Sequence, residues 1–435
     1  MNRISIFMIS FIICLFSCVH NPNAYHEIDM SIGTASYIQA LHAMEKNDDR
    51  RAYTTRNDIL FYLDRGMLRH YAGLWNESSR DLEEGERLIE EAFTKSISQE
   101  IGSYIANDNV KDYAGEDYEN IYINVFNALN YYHRNDMQNA HVEIRRVNEK
   151  LTVLADKYEK AIKKVIDSNP DLSNPDLGVQ ATKFSNSALA RYISFLFSQA
   201  EGNTDNVRID MEELQRAYTL APDVYDHPKP SSLENELSVP QGKARLNFIG
   251  FTGLSPIKEE VKQNIPLSLM GGNDWFSMSL PRMVDRPSDI DSVEVVLNSG
   301  QRFRLELLEN MSKIAHETFK TKYSLTVAKT AARTITKATA ATKTADLVER
   351  KFGVLGSLVS GAVGAVAVNA SEQADLRVSR YFPARANIGG INLEPGIYSI
   401  TVNYYGHGRL VDSEQINNVH VEAGKLNLIE SVCLK

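Results

Sequence analysis

Pro222, Pro228, Pro230 and Pro240 crowd one short stretch, with Ser231 and Ser232 among them, and the spacing of apolar residues changes across it. Proline lacks the N–H that a helix interior or a central strand requires, so neither element passes through such a stretch. On the N-terminal side, from about Ser31 to Pro222, apolar residues recur every three or four positions, and only Pro170 and Pro175 interrupt them. That is the period of amphipathic helices. On the C-terminal side alternation takes over: 243–251 reads as a strand, and 292–297 and 302–308 read as a hairpin around Asn298-Ser299-Gly300-Gln301. Pro395-Gly396 opens a further strand with Tyr398, Ile400, Val402 and Tyr404 on one face, and 419–434 is expected to fold back through Ala423-Gly424. Segregation of helices from strands leads us to expect an α+β chain: an all-α domain over 31–222, a Pro-rich linker over 223–242, and a mixed sheet domain over 243–435.

Composition narrows the function. At about 100–200 residues per domain, a chain of 435 residues holds two or three. Lys and Arg number 47 against 56 Asp and Glu, a net charge of −9. A nucleic-acid surface needs the opposite sign. Of the three cysteines, Cys14 and Cys18 lie near the start and Cys433 near the end, so neither a disulfide framework nor a four-thiolate zinc site is at hand. Cys433, between Val432 and Leu434 in an alternating strand, is expected to be a packing thiol and not a nucleophile.

Arg3 precedes an apolar run over 4–16 that only Ser5 and Ser10 break. As a helix it would reach about 20 Å, short of the roughly 30 Å of bilayer hydrocarbon, which is the pattern of a signal-peptide core. The run closes with Leu15-Phe16-Ser17-Cys18, which resembles the bacterial lipobox. The resemblance implies a lipoprotein signal peptide over 1–17, acyl chains such as palmitate on Cys18, and a lipidated tether over 18–30. Each buried methylene contributes about 0.8 kcal/mol, so two or three chains attach a protein to membrane lipid in effect permanently. Val19 stands where an Asp would argue for the inner membrane, and the outer membrane, facing the periplasm, is the expected site.

Gly66, Gly73, Ser78, Leu82 and Gly85 fall at offsets resembling the tetratricopeptide repeat (TPR), and Ala128, Tyr131, Asn135, Ala140, Ile144 and Val147 resemble it again. A fainter copy holds Leu214, Ala217 and Pro222. Small side chains at such positions let paired helices approach closely. The copies are unevenly spaced, so repeat-like hairpins are expected in place of a uniform array, with Tyr131, Tyr132, Tyr192 and Phe195 either lining a concave binding surface or packing in the core. Asp81, Glu83, Glu84, Glu86, Glu90 and Glu91 form an acidic stretch that reads as a solvated helix face or as a cation or partner site. The duplicated Asn-Pro-Asp-Leu at 169–172 and 174–177 reads as a surface connection.

Between the strand groups, 318–345 carries Lys320, Lys322, Lys329, Arg333, Lys337 and Lys343 and no acid, the pattern of a long basic amphipathic helix. Residues 352–368 follow as a Gly-rich apolar segment, about 25 Å long as a helix. It reads either as a buried helix or as a membrane-inserting one.

The lipobox, the repeat-like helices, Ser255-Pro256-Ile257-Lys258-Glu259-Glu260, the stretch 370–377 and Leu393-Glu394-Pro395-Gly396 together resemble a family of bacterial envelope lipoproteins with TPR-like repeats. The Pro-Gly-aromatic start at 395–398 is also similar to small exported β-sandwich modules. The family resemblance implies an architecture and a compartment and no activity. Glu372, Gln373, Asp375 and Arg377 are the candidate functional residues, with capping and ion pairing as their alternative role. No phosphate loop, His-Glu-x-x-His, Cys-x-x-Cys or Gly-x-Ser-x-Gly occurs, His316-Glu317 lacks a second histidine, and His133 and His141 lie too far apart along one helix to chelate a metal together. We therefore expect a non-enzyme without cofactor, metal or nucleic acid: a lipid-anchored scaffold or adaptor that binds another envelope protein in the concave face of its helices. A membrane-inserting lipoprotein using 352–368 and a cell-wall hydrolase or regulator of wall synthesis are the alternatives.

Overall fold

The computed structural model describes residues 25–46, 53, 58–98, 113–167, 183–266, 275–323, 326 and 374–435. The expected signal peptide, Cys18, the duplication at 169–177, most of the basic stretch, the segment 352–368, Glu372 and Gln373 lie outside the described residues.

Among the described residues, eight α-helices precede the strands: α1 (His26–Gly33), α2 (Tyr37–Lys46), α3 (Asp58–Tyr71), α4 (Trp75–Ser98), α5 (Asp117–His133), α6 (Met137–Asp167), α7 (Ala188–Ala200) and α8 (Thr204–Leu220). They pair into four hairpins, each joined by three residues: 34–36, 72–74, 134–136 and 201–203. The middle residue of every joint has positive φ: Ala35 (54°), Gly73 (73°), Asn135 (60°) and Gly202 (73°). The next residue then donates its N–H to a carbonyl five positions back, as in Ser36 to Ser31, Leu74 to Arg69, Asp136 to Tyr131 and Asn203 to Ser198. One left-handed C-cap thus turns the chain four times, three of them on residues that tolerate the conformation, Gly, Asn and Gly.

The small residues singled out in the sequence sit where helices touch. A Cβ on Gly66 would lie 2.8 Å from Leu82 Cδ2, and one on Gly85 2.8 Å from Leu63 Cδ2. Ser78 donates its hydroxyl to the Gly66 carbonyl at 2.8 Å, and Ala128 and Ala140 are fully buried. Folding starts before the expected boundary: α1 takes up part of the 18–30 segment and buries Ile28.

Strands β1 (Ala244–Leu254), β4 (Ser292–Leu297), β5 (Arg302–Asn310), β6 (Pro383–Leu393), β7 (Gly396–Gly406), β8 (Arg409–Val421) and β9 (Asn427–Cys433) form one sheet in the order β8-β7-β4-β5-β6-β1-β9. Strand β9 runs parallel to β1, and β1–β6, β6–β5, β5–β4, β4–β7 and β7–β8 are antiparallel. Strands β2 (Ile257–Pro266) and β3 (Trp275–Val284) make a separate hairpin. Residues 311–323 are helical and begin the basic stretch directly after β5.

The chain end differs from the single return expected at 423–424. It folds back first at His407-Gly408, and Ala423-Gly424 instead sends β9 to the opposite edge of the sheet. Asp412, Ser413, Glu414, Gln415, Asn417 and Asn418 explain the miss: β8 is an edge strand, and its polar run carries little apolar alternation. The last strands therefore share this one sheet, without the second layer of a β-sandwich among the described residues. Lys435 nevertheless reaches Asp412 of β8 at 2.8 Å, so the sheet curls its two edges toward each other.

One face of the sheet encloses Leu246, Phe248, Val293, Val295, Ile400, Val402, Tyr404 and Cys433. The other, with Ile249, Phe251, Leu308, Ala386, Ile388 and Leu428, joins the helices in one continuous core. Residues 223–242 are part of it, burying Val224, Tyr225, Leu233 and Glu236. Helices α3, α5 and α7 form the layer against the sheet, where Phe126 meets Phe251 at 5.0 Å and Phe382 at 6.0 Å. This layout corrects the expected concave binding surface. Tyr192 and Phe195 are fully buried, Tyr132 exchanges hydrogen bonds with the Leu428 backbone, and the sheet fills the face. Among the described residues no helix is long and apolar enough to cross a membrane.

Replacing Gly66 by Ala should cost about 1–3 kcal/mol, because the new methyl overpacks α4. Gly33→Ala, with nothing within 4 Å of the new atom, should change stability by no more than about 1 kcal/mol, in the stabilising direction. Urea unfolding followed by circular dichroism measures both.

Candidate functional site

The layer between helices and sheet is apolar in bulk but crossed by buried carboxylates, and most take donors from the other half of the chain. A buried carboxylate is costly unless paired and hydrogen-bonded, which makes these residues the most constrained chemistry in the molecule.

Glu430 on β9 lies between two histidines at helix C-terminal ends. His70, in the last turn of α3, approaches Glu430 Oε2 through Nε2 at 3.0 Å, and His133, at the end of α5, bonds Oε1 through its own Nε2. Helix C-termini favour a charged imidazole. Trp75 stacks on His133 with ring centres 4.2 Å apart. Burial pushes the Glu430 carboxyl up, but the charges of His70 and His133 overcome it and hold the group at about 2.

Glu309 sits at an irregularity in β5, where the register against β6 shifts between Leu307 and Glu309. The shift turns its side chain into the helices. Tyr122 and Tyr225 each donate to it at 2.6 Å, Ser187 at 2.9 Å and the Leu189 N–H at 3.1 Å. Burial raises the carboxyl against these donors. Glu236, fully buried, accepts from Tyr192 at 3.1 Å, Arg245 at 3.1 Å and Asn247 at 2.9 Å. Asp64 of α3 accepts from Tyr53 at 2.7 Å and from Ser379 at 2.5 Å.

Two of the candidates named from sequence, Asp375 and Arg377, belong to a further cluster at the N-terminus of α5. Arg377 pairs with Asp375 at 2.8 Å, and its carbonyl accepts from Lys258 at 3.0 Å. Lys258 and Lys322 converge on Glu116 at 2.5 and 2.6 Å. Burial opposes ionisation of Asp375, and Arg377 outweighs it, leaving the carboxyl at about 2. Glu119 closes the capping box with Glu116 and is raised to about 7, first by burial and then by Glu116. Lys322, from the basic stretch, is thus an ion-pair partner of this cluster.

The acidic stretch of α4 divides. Asp81 binds Arg65 and Arg69, both at 2.6 Å, while Glu84 and Glu91 pair with Arg87 at the surface. Glu83, Glu86 and Glu90 line a cavity of about 370 Å³ with Arg87, Arg146, Glu149 and Lys150. At its base Lys150 meets Glu86 at 2.6 Å, and Asn124 donates to Glu86 and Glu143 at 3.0 and 2.7 Å. Elsewhere His141 faces Glu201 and His316 faces Asp285. Among the described residues no group of three His, Cys, Asp or Glu is arranged to hold a metal ion. The Cys433 thiol is buried, and burial pushes it up to about 11, so it stays protonated at neutral pH.

The Glu430 and Glu309 clusters escaped sequence reading because each joins residues far apart in the chain, and the Glu236 cluster because it ties the 223–242 segment to β1 and to Tyr192 of α7. A local signal existed only at Glu430, the one charged residue of β9, whereas Glu309 is one of several charged residues in β5. No family model matches the chain, and no curated protein and no solved structure matches it either.

Glu309→Ala should destabilise the protein by about 3–5 kcal/mol in urea unfolding, since it strands buried donors on α5, α7 and the 223–242 segment. For Glu430, the ordinary value of 4.5 falls to about 2 on folding. Its contribution, about 3 kcal/mol, is complete above pH 4.5 and vanishes as the pH falls through about 2. The stability difference between wild type and Glu430→Gln should therefore shrink by that amount between pH 5 and pH 2.

Proposed function

We propose that this protein is a lipid-anchored component of the bacterial cell envelope, held through Cys18 on the periplasmic side of the outer membrane, where its TPR-type hairpins serve as a scaffold for another envelope protein. The observation that carries the reading is the division of the hairpins into two layers. Helices α3, α5 and α7 are covered by the chain's own sheet, while α4 and α6 keep a charged cavity open to solvent. A partner therefore docks on the outer layer and not on the inner, concave one. Carboxylates outnumber cations in that cavity, which favours a partner segment bearing Lys or Arg.

The anchor fits this arrangement. Seven extended residues reach at most about 25 Å, so acylated Cys18 would keep α1 within that distance of the bilayer. Labelled palmitate should enter the wild-type protein and not Cys18→Ser, and lack of label in the wild type sinks the anchor. A photo-crosslinker at Glu149 should capture one protein reproducibly in intact cells, whereas one at Ile397, on the sheet, should not. Equal capture at both positions, or at neither, overturns the docking face.

A further inference from the structure

The hydrogen bonds around His70 run in one direction only. The Gly66 carbonyl can only accept, so the Ser78 hydroxyl gives its proton there, at 2.8 Å. The Ser78 oxygen is left to accept from Asn130 Nδ2 at 2.9 Å. That fixes the amide of Asn130, whose Oδ1 faces His70 Nδ1 at 2.8 Å. A carbonyl oxygen is an acceptor, so Nδ1 carries a proton. On the other side of the ring, Nε2 faces a Glu430 oxygen at 3.0 Å, while the second oxygen of Glu430 is taken by His133. Nε2 carries a proton too, and a ring protonated on both nitrogens is an imidazolium. His70 is 2% exposed, so this is an enclosed cation.

The surroundings leave the histidines alone in balancing Glu430. Facing it are His70 and Tyr71 from α3, and Tyr132 and His133 from α5; Tyr37 of α2 donates to the Val432 carbonyl at 3.2 Å. From β1, Ile249 stands opposite Glu430 in register. Among the described residues no Lys or Arg pairs with this carboxylate. Removing the second ring proton from His70 sets two acceptors against each other at 2.8 or 3.0 Å, and either loss strands a buried polar group.

The geometry points to a proton-operated latch: His70, Glu430 and His133 fasten strand β9 to α3 and α5 while the His70 ring holds both its protons, and the strand is released when rising pH takes one of them away. Strand β9 suits such a role. It lies at a sheet edge and, among the described residues, has β1 as its one strand partner, so its release leaves the rest of the sheet paired and bares the β1 edge. This inference goes beyond the scaffold reading and does not depend on it.

Hydrogen exchange of the full-length protein, corrected for intrinsic rates, should show protection of 427–433 falling about tenfold or more between pH 6 and pH 9, with 292–310 unchanged as the internal reference. In Glu430→Gln the two segments should respond alike. Nitrogen NMR of the wild-type histidines should find both His70 ring nitrogens protonated at pH 6; this measurement needs no variant and stands if Glu430→Gln fails to fold. A neutral His70 ring at pH 6, or a protection of 427–433 that tracks 292–310 across the pH range, overturns the latch.

Discussion

Burying an ionised carboxylate is worthwhile only where donors meet it from several directions, and in this chain those donors come from distant elements. Glu309 of β5 needs Tyr122, Ser187, Leu189 and Tyr225 from the helical side. Glu430 of β9 needs His70 and His133, and Asp64 of α3 takes Ser379 and Arg380 N–H from the sheet side. Separating the halves would strand these groups on both sides at a few kcal/mol each. Helices and sheet thus fold as one cooperative unit, and register across the seam is set by where the acids fall.

Against that fixed layer, the hairpins supply repetition. A shared left-handed turn at residues 35, 73, 135 and 202 joins helices of unequal length through the same three-residue link, although the sequence period is irregular. Gly66 and Gly85 then bring α3 and α4 together closely enough for Ser78 to reach a main-chain carbonyl. The polar chain that ends at Glu430 starts from that contact. A feature that reads in sequence as mere close packing is the first link of the charged seam.

This accounts for what the sequence revealed and what it hid. The helix-to-strand switch at the prolines, the hairpin at 292–310 and the packing role of Gly66, Ser78, Gly85, Ala128 and Ala140 rest on local periodicity or residue size, and local rules suffice for them. The buried acids obey no local rule: Glu430 and His70 are 360 positions apart. Strand β8 was missed because an edge strand needs little apolar patterning. Asp375 and Arg377 were singled out within the stretch 370–377 that carries the family resemblance, and the cluster they join depends on Lys258 and Glu116, which only the fold brings near.

Filling the inner face with the chain's own sheet also changes what the helical half can do. A helical hairpin array that leaves its inner layer open can wrap a partner there; here that layer is occupied by an intramolecular ligand held through hydrogen-bonded carboxylates as well as apolar contact. Exchange at such a face would require a competitor to offer acceptors to Tyr122, Ser187, His70 and His133 simultaneously, and a generic apolar peptide offers none. The outer cavity imposes no such demand, since Glu86 and Glu143 are already satisfied from within by Asn124, Arg146 and Lys150. On the scaffold reading proposed above, specificity would come from the carboxylates at the cavity rim, where solvation keeps each contact weak and several must act together.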